Sequence, residues 1–418
     1  MQYAMRQKRN NNITFPPVYH IDRREIAAVT AVMKKGPLSG FVGEPGPEFF
    51  GGCAVRRFER AFARKFGVKH ATSFNSATTA LHGAIVALGI GPGDEVIVPP
   101  YTMSASATCV LMNGAVPIFA DIEPDTFCID PRDVARKITR RTKAVMMVNL
   151  FGRTGDMKAL LSLARRHRLA IIEDNAQSAG ARFHGRYTGT IGDIGVFSFN
   201  VHKQIQSGEG GVLVTNNRKF ADRALLARNH GENLSGEYSG AGPIFGTNYR
   251  MTEVTAAIAE VQLEKLDFLN RKRVALARRL SKRLAGTPGL TLPRPPEGGS
   301  HVYYAYPLRF DEKAAGLSRA EFVRKLQKRG FPIGAGYVEP LYLLPLFQKK
   351  QAFNGTHFPF DYNGRAEPDY RKGLCPVTER MHYREFVGTD VCQHPYTAAH
   401  IDAFAVAVKE VLAQAKKR

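Results

Sequence analysis

One lysine of this 418-residue chain lies in a setting that favours covalent chemistry. Lys203 follows the largely apolar run FSFNVH, and the glycine-rich turn SGEGG at 207–211 comes soon after it. Lysine normally lies on a solvated face of a protein, so this position is unusual. Removal of water lowers the pKa of a lysine amine, and the unprotonated amine can form a Schiff base with a carbonyl compound.

An acidic pair marks a second segment that could carry chemistry. Glu173 and Asp174 stand at the carboxyl end of the apolar run LAII, which is typical of a buried strand. Such positions open into the ligand crevice of a doubly wound sheet, where a carboxylate can bind a cation, a ribose hydroxyl or a protonated ring nitrogen. A capping or surface role explains the same segment equally well, so both interpretations stay open.

Two polar segments precede predicted helices. The stretch FNSATTAL (74–81) has small and hydroxylated residues at a helix start, where free N–H groups could hold a phosphate. Plain capping by Ser76 or Thr78 is the preferred interpretation of this segment alone. The stretch GTNYRM (246–251) stands ahead of a long amphipathic segment and indicates little by itself.

The elements that must position these residues alternate along the chain. Helical spacing of apolar residues predicts helices in VRRFERAFARKFG, TALHGAIVALGI and MKALLSLARRHR. Apolar or β-branched runs predict strands in EVIVPP, AVPIFADI, KAVMMVNLFG and LAIIEDNA. This alternation predicts an α/β fold, a mostly parallel sheet between helices.

The chain changes character after a long amphipathic stretch, where TPGLTLPRPPEGG interrupts the helical pattern. A strand-like YYAYPLRF, a helix around 319–329 and a closing helix from Thr397 follow. We therefore predict an N-terminal segment that packs on the body, a large domain, and a smaller C-terminal α+β domain, with bounds 1–50, 51–267 and 268–418. The stretch 345–390, rich in Pro, Tyr and Phe, is expected to be a long inserted loop of the small domain.

Composition excludes several classes of protein. A hydrophobic content of 44% with 23% charged residues is typical of a folded globular chain. The five cysteines are odd in number and widely spaced, with no Cys-x-x-Cys pair, which indicates reduced thiols in a cytoplasm and no zinc site. The uncharged stretch 96–120 contains three prolines and several hydroxyls, so we interpret it as buried core and not as a membrane span.

The formal net charge of +22 requires an explanation. A nucleic-acid partner is one interpretation, and an anionic small substrate is the other. Basic residues cluster only at 271–273, 278–279 and 416–418, without interleaved aromatics or a known nucleic-acid-binding motif. The anionic substrate is therefore favoured, and nucleic acid is an unlikely partner.

Together the four segments resemble one family. The order and separation of IEDNAQ, SFNVHK, SGEGG and NYRMTE are similar to those of the DegT/StrS sugar aminotransferases, which are fold-type I pyridoxal-phosphate enzymes. The resemblance extends over nearly the whole chain, from IAAVTAVMKKGPLSG to the closing QHPYTAAHID. It implies pyridoxal 5'-phosphate as cofactor and a large domain with a mostly parallel sheet plus a smaller α+β domain.

The resemblance also implies roles for individual residues. Lys203 would bind the cofactor as a Schiff base and later carry the proton between substrate and cofactor. Asp174 would pair with the pyridine nitrogen and keep it protonated, which makes the ring an electron sink. Gln177 would lie near the ring hydroxyl.

The cofactor phosphate would be held by several groups if the resemblance extends to its site. These are Thr78, the N–H of Thr79 and the hydroxyl of Ser198. Asn248 matches an asparagine that the neighbouring subunit supplies in this family, which implies a homodimer with shared active sites. No membrane partner is implied.

One position departs from the family pattern. An aromatic residue usually follows the threonine of the PxxT segment and stacks on the cofactor ring, but this chain has Met103 after Thr102. A thioether can still pack on a π face, and the neighbouring Tyr101 is an alternative stacking partner.

The reaction that the resemblance implies is a transamination. Glutamate or glutamine would donate the amino group, and a keto sugar, most often nucleotide-linked, would accept it in amino-sugar biosynthesis. A keto-cyclitol or non-nucleotide keto sugar is the alternative acceptor, and a catalytically idle regulator is a further alternative. Dehydratases of this family carry a histidine in place of the lysine; here Lys203 is in register with Ser198 and His202 is not.

Overall fold

The computed structural model describes residues 14–18, 20–232, 242, 244–364 and 366–415. The first thirteen residues of the predicted N-terminal segment and the basic cluster at 416–418 lie outside this part of the chain.

A seven-stranded sheet forms the centre of the large domain, in the order β1-β9-β8-β5-β4-β2-β3. β9 runs antiparallel to both neighbours, and the other pairs are parallel. The strands of the described chain, including those outside this sheet, are β1 (His70–Phe74), β2 (Glu95–Val98), β3 (Val116–Phe119), β4 (Thr142–Val148), β5 (Ala170–Asp174), β6 (Arg182–Phe183), β7 (Arg186–Tyr187), β8 (Ile194–Ser198), β9 (Gly211–Thr215), β10 (Leu290–Thr291), β11 (Tyr306–Phe310), β12 (Ile333–Ala335) and β13 (Phe386–Thr389). The mostly parallel α/β sheet expected from the alternation is confirmed.

Helices cover both faces of this sheet. The helices of the described chain, including those of the smaller unit, are α1 (Arg23–Lys35), α2 (Cys53–Phe66), α3 (Ala77–Leu88), α4 (Ala105–Met112), α5 (Pro131–Lys137), α6 (Met157–His167), α7 (Arg218–Arg228), α8 (Glu253–Leu284), α9 (Glu312–Ala315), α10 (Arg319–Lys328), α11 (Pro345–Gln348), α12 (Pro376–Arg380) and α13 (Ala398–Ala415). α2 ends where predicted, because Gly67 adopts a φ of +68° that favours glycine. The first half of α8 and α2 bury Phe62 and Leu266 on one sheet face.

A second, four-stranded antiparallel sheet of order β10-β11-β13-β12 follows the long helix. The second half of α8, with α10 and α13, buries a separate apolar core against it, which includes Leu280, Phe322 and Phe404. The smaller α+β unit expected at the carboxyl end is therefore present. The domain bounds 51–267 and 268–418 remain predictions.

The first part of the stretch 345–390 packs on the large sheet, whereas Phe386–Thr389 near its end forms β13 of the small sheet. Phe347, Phe360 and Tyr370 are buried in the apolar core of the large sheet, not in that of the small unit. Tyr370 Oη also donates a hydrogen bond of 2.6 Å to the carbonyl of Pro117 in β3. The apolar and aromatic residues that suggested an irregular loop are the ones that attach the stretch to the edge of the large sheet.

Candidate active site

Lys203 lies in the turn that follows β8. Its backbone N–H donates to the carbonyl of Asn200 at 2.9 Å, which fixes the turn. In the described chain its Nζ has no hydrogen-bond partner, and it lies 4.9 Å from the centre of the Tyr304 ring. Burial of the amine lowers the pKa of Lys203 to about 8, although the charges of Asp174 and Glu209 act in the opposite direction.

Asp174 supplies a negative charge near this amine, from the carboxyl end of β5. The residue is only 5% exposed, and its Oδ2 accepts a hydrogen bond of 2.7 Å from Ser106 Oγ at the start of α4. Its Oδ1 accepts from the N–H of Ala176 at 3.2 Å. Burial raises the pKa of Asp174, while these two donors and the charge of Lys203 lower it.

Glu173 has a different environment from its neighbour, and this decides between the two interpretations of the acidic pair. Its carboxylate accepts hydrogen bonds from the N–H groups of Gly189, Ile191 and Gly192 at 2.6 to 2.7 Å. Asn149 Nδ2 donates to it as well, at 3.1 Å. Glu173 therefore fixes the loop before β8, and only Asp174 of the pair is near Lys203.

Gln177 connects three segments around the same site. Its Oε1 accepts from the N–H of Phe151 at 2.9 Å, and its Nε2 donates to Tyr337 Oη at 2.8 Å. Its carbonyl accepts from Gln204 Nε2 at 2.6 Å. Gln204 Oε1 is buried without a partner in the described chain, so a polar atom next to Lys203 is still free to accept a hydrogen bond.

The start of α3 lies beside Ser198, as the proposed phosphate cradle requires. Ser198 pairs with Gly211 across β8 and β9, and a Cβ on Gly211 would come within 2.5 Å of the carbonyl oxygen of Ser76. Ser76 caps the helix, because its Oγ accepts the N–H of Thr79 at 3.2 Å. The capping interpretation thus holds for Ser76, and the N–H of Thr79 already has a partner.

The hydroxyls of this cradle differ in how far they are engaged. Ser198 Oγ accepts the N–H of Asn200 at 3.3 Å and is buried. Thr78 is exposed, and its hydroxyl has no hydrogen bond in the part of the chain described. Both hydroxyls can therefore still donate a proton to an anionic oxygen.

Met103 and Tyr101 lie in contrasting environments, although only Thr102 separates them. Met103 is 52% exposed at the entry to α4. Tyr101 is fully buried, and its Oη accepts the N–H of Tyr337 at 3.0 Å. Met103 is therefore accessible to a ligand, whereas Tyr101 is held in the apolar core; which of the two stacks on the cofactor stays a prediction.

Asn248 makes no hydrogen bond to the other predicted site residues within the described chain. Its side chain is exposed, and its Oδ1 accepts the N–H of Arg250 at 3.4 Å. The next residue, Tyr249, accepts the N–H of Asn75 through its carbonyl at 2.8 Å. Asn248 thus lies on a segment that passes the start of α3, with its side chain directed to solvent.

Sequence reasoning missed four residues that line the site. Ser106 has a weak signal, since it stands four residues after Thr102 at a helix start, one turn from a segment already considered. Tyr304, Tyr337 and Phe151 give no local signal, because their segments come to the site only through tertiary packing.

The described part of the chain has neither a helix that could span a membrane nor a cluster that could hold a metal ion. None of the helices there is both long and apolar enough to cross a membrane. No group of three or more His, Cys, Asp or Glu in these ranges is arranged to hold a metal ion.

A lysine after one strand of a mostly parallel sheet, with a buried carboxylate at the end of the adjacent strand, agrees with the fold-type I aminotransferase expected from the sequence. The profile of the DegT/DnrJ/EryC1/StrS aminotransferase family matches residues 21–361. The chain belongs to this family, and it is an aminotransferase.

Relatives and solved structures agree with this assignment. The chain is 36% identical over 365 residues to the spore coat polysaccharide biosynthesis protein SpsC of Bacillus subtilis, covering 85% of this chain and 90% of that protein. It is 41% identical over 297 residues to GDP-perosamine synthase of Caulobacter vibrioides, covering 70% and 78% respectively. The crystal structure of DesV from S. venezuelae superimposes with a TM-score of 0.79 at 32% identity, covering 93% of this chain and 94% of that one.

Proposed function

We propose that this chain binds pyridoxal 5'-phosphate through Lys203 and transfers an amino group from glutamate or glutamine to a keto sugar. One observation carries the proposal. The amine of Lys203 has a lowered pKa and no hydrogen-bond partner in the described chain, and the buried carboxylate of Asp174 acts on it electrostatically. An amine that is partly unprotonated near neutral pH can attack an aldehyde.

The donor set fits this cofactor. Asp174 is buried, bears its charge next to Ser106 and can hold a protonated ring nitrogen. Thr78 and Ser198 have hydroxyls with free donor capacity beside the start of α3, where a helix also favours a phosphate. The thioether of Met103 is accessible for packing on the ring face.

When bound, the cofactor would withdraw electrons from the substrate carbon that carries the nitrogen. The chain's own groups would do the remaining work. Lys203 Nζ would accept the proton from that carbon and return it, a task that suits an amine with a pKa of about 8. Ser106 would keep the Asp174 carboxylate oriented, and Gln177, fixed by Phe151 and Tyr337, would orient the ring hydroxyl.

A nucleotide-linked keto sugar is the acceptor that we propose. A relative at 41% identity is named GDP-perosamine synthase, and this name contains both a nucleotide, GDP, and an amino sugar, perosamine. The net charge of +22 would attract a diphosphate electrostatically. The unpaired state of the five thiols agrees with a cytoplasmic location.

Absorption spectroscopy of the purified protein tests the cofactor and the lysine together. We expect a visible band that disappears on addition of glutamate or glutamine, and we expect K203A to lose both the covalent attachment and turnover. A protein that stays colourless after reconstitution with pyridoxal phosphate would support the idle regulator instead. K203A turnover at a near wild-type rate would contradict the role of Lys203.

We also propose a homodimer in which Asn248 of each copy completes the phosphate site of the other. The exposed position of Asn248 supports this arrangement. Mixing K203A with N248A chains tests it, because a mixed dimer contains one site with both wild-type residues. Recovery of about one quarter of wild-type activity is expected if the chains pair at random. No recovery after verified exchange of subunits would contradict shared sites.

A further inference from the structure

A cavity whose lining includes none of the predicted active-site residues lies beside the segment 293–303. It has a volume of about 1020 Å³ and is bounded by the second half of α8, the β6–β7 hairpin and the segment 293–303. Tyr303 lines this cavity, whereas the ring of the next residue, Tyr304, lies beside the Lys203 amine. A cavity of this size can hold a nucleotide-sized molecule.

The charge of the cavity wall is strongly positive. Four of its lining residues are arginines, namely Arg182, Arg271, Arg278 and Arg294. Within the described chain none of the four has a carboxylate within ion-pair distance. Asp267 is the single carboxylate of the lining, and it already pairs with Lys65 at 2.9 Å. Arginine offers a planar fork of N–H groups that matches phosphate oxygens.

A buried histidine adds a hydrogen-bond donor that has no acceptor. His301 lines the cavity and is 2% exposed. Its Nδ1 accepts the N–H of Tyr303 at 3.0 Å, so the proton of the neutral ring belongs on Nε2. Nε2 has no partner in the described residues. A buried N–H group without an acceptor is costly, and an anionic oxygen would satisfy it.

The buried amide of Asn270 contributes a free hydrogen-bond acceptor, whereas His301 contributes a free donor. Asn270 is 7% exposed, lines the cavity and donates from Nδ2 to the carbonyl of Ala179 at 2.8 Å. Its Oδ1 is buried without a partner in this part of the chain. It can accept a hydrogen bond from a ligand hydroxyl, which inorganic phosphate at neutral pH supplies poorly and a polyol supplies well.

Helix periodicity places two of the arginines on one face. Arg271 and Arg278 are seven residues apart in α8, so they lie two turns apart on the same side, and both are exposed. Between them in sequence, Arg273 is buried and points inward, where its Nη1 donates to the carbonyls of Tyr303 and Tyr304 at 3.5 and 3.4 Å. The basic cluster 271–273 thus contains one structural arginine, and Arg271 with Arg278 lines the cavity.

We propose that this cavity is a second binding site, separate from the Lys203 site, for a small molecule that carries a diphosphate. The forks of Arg271 and Arg278 and the His301 Nε2–H would bind the phosphate oxygens, and Asn270 Oδ1 would accept a hydrogen bond from a hydroxyl of the attached group. The proposal does not depend on the catalytic function, since its test measures binding alone.

Calorimetric titration with inorganic pyrophosphate tests the site, with the protein saturated in pyridoxal phosphate so that the Lys203 site is filled. We expect binding by the wild-type protein and, in R271A/R278A, an affinity lower by about a hundredfold, because each of the two lost charge-assisted contacts costs about tenfold. R165A/R166A, which removes two exposed arginines of α6, is the matched control and should bind as wild type. Both variants should keep the wild-type Tm, because all four side chains are exposed.

Three results would overturn the proposal. One is the absence of pyrophosphate binding up to about 5 mM. Another is an equal loss of affinity in the α6 control, which would indicate attraction by net charge alone. The third is binding of a short DNA duplex that depends on Arg271 and Arg278 while pyrophosphate does not bind, which would make the surface a nucleic-acid contact. A nucleoside diphosphate that binds more tightly than pyrophosphate would support the role of Asn270.

Discussion

Ser106 Oγ donates a hydrogen bond of 2.7 Å to Asp174 Oδ2, and this bond joins the first turn of α4 to the carboxyl end of β5. Both residues are buried, so the contact is shielded from water. The same hydroxyl lies 3.1 Å from Thr102 Oγ1, which fixes its direction. Ser106 is therefore a positioning residue for the carboxylate beside Lys203, and it also lowers the pKa of Asp174.

Replacement of Ser106 by alanine should remove one hydrogen bond from the Asp174 carboxylate without disturbing the fold. Because the Ser106 bond lowers the pKa of Asp174, S106A should raise that pKa and move the acid limb of the pH–rate profile to higher pH. Turnover near neutral pH should fall about tenfold. S104A is the matched control, since Ser104 is exposed and its side chain makes no capping bond. Coincident pH profiles for the two variants would contradict this role.

The lowered pKa of Lys203 predicts how cofactor attachment depends on pH. The amine is protonated below about pH 8 and free above it, so the rate of attachment of pyridoxal phosphate to the apoprotein should rise through about pH 8. The charge of Glu209 raises the pKa of Lys203, so E209Q should move the midpoint to lower pH. Stopped-flow absorbance measures both rates, with E264Q, an exposed glutamate of α8, as control. A midpoint close to that of an ordinary lysine would refute the prediction.

Met103 should affect cofactor affinity and leave stability unchanged. Its side chain is 52% exposed, and a sulfur–aromatic contact with the ring would contribute about two- to tenfold in affinity. We expect M103A to weaken pyridoxal-phosphate binding by that factor in a fluorescence titration. M112A, at the end of α4 and 45% exposed, should bind as wild type. Equal affinities for M103A and M112A would show that the ring packs elsewhere.

Glu173 should contribute far more to the free energy of unfolding than an exposed glutamate does. Its carboxylate accepts three backbone N–H groups and the Asn149 amide, and a glutamine would direct an NH₂ group at two of these donors. E173Q should therefore lower the free energy of unfolding by about 2–4 kcal/mol in urea. E264Q, which alters an exposed side chain, should change it by less than about 0.5 kcal/mol. Similar values for the two variants would be inconsistent with the hydrogen-bond network.

Local sequence patterns predicted most of the elements around the site. α2, α3, α6, β2, β4 and β5 lie where apolar periodicity and glycine or proline signals indicated. The long amphipathic stretch before residue 285 forms the single helix α8. These features depend on residues close in sequence, so a single sequence is sufficient to find them.

Contacts between distant residues were beyond the reach of the same patterns. The Ser106–Asp174 bond joins residues 68 positions apart, and the Gln177–Tyr337 bond spans 160 positions. Within the stretch 345–390, Phe347 and Tyr370 pack on Phe119 of β3, whereas Phe386–Thr389 forms β13 of the small sheet. Local periodicity carries no information about which sheet an apolar side chain will reach.

The sequence by itself determined the α/β alternation, the four motifs that imply an aminotransferase, and the lysine that we propose as catalytic. Only the tertiary structure decided which acid of the 173–174 pair serves Lys203. Strand alternation puts the two side chains on opposite faces, but the neighbouring strands and loops determine which face is the site. The same holds for the arginines of α8: their spacing is local, and the cavity they line exists only because the β6–β7 hairpin and segment 293–303 pack opposite them.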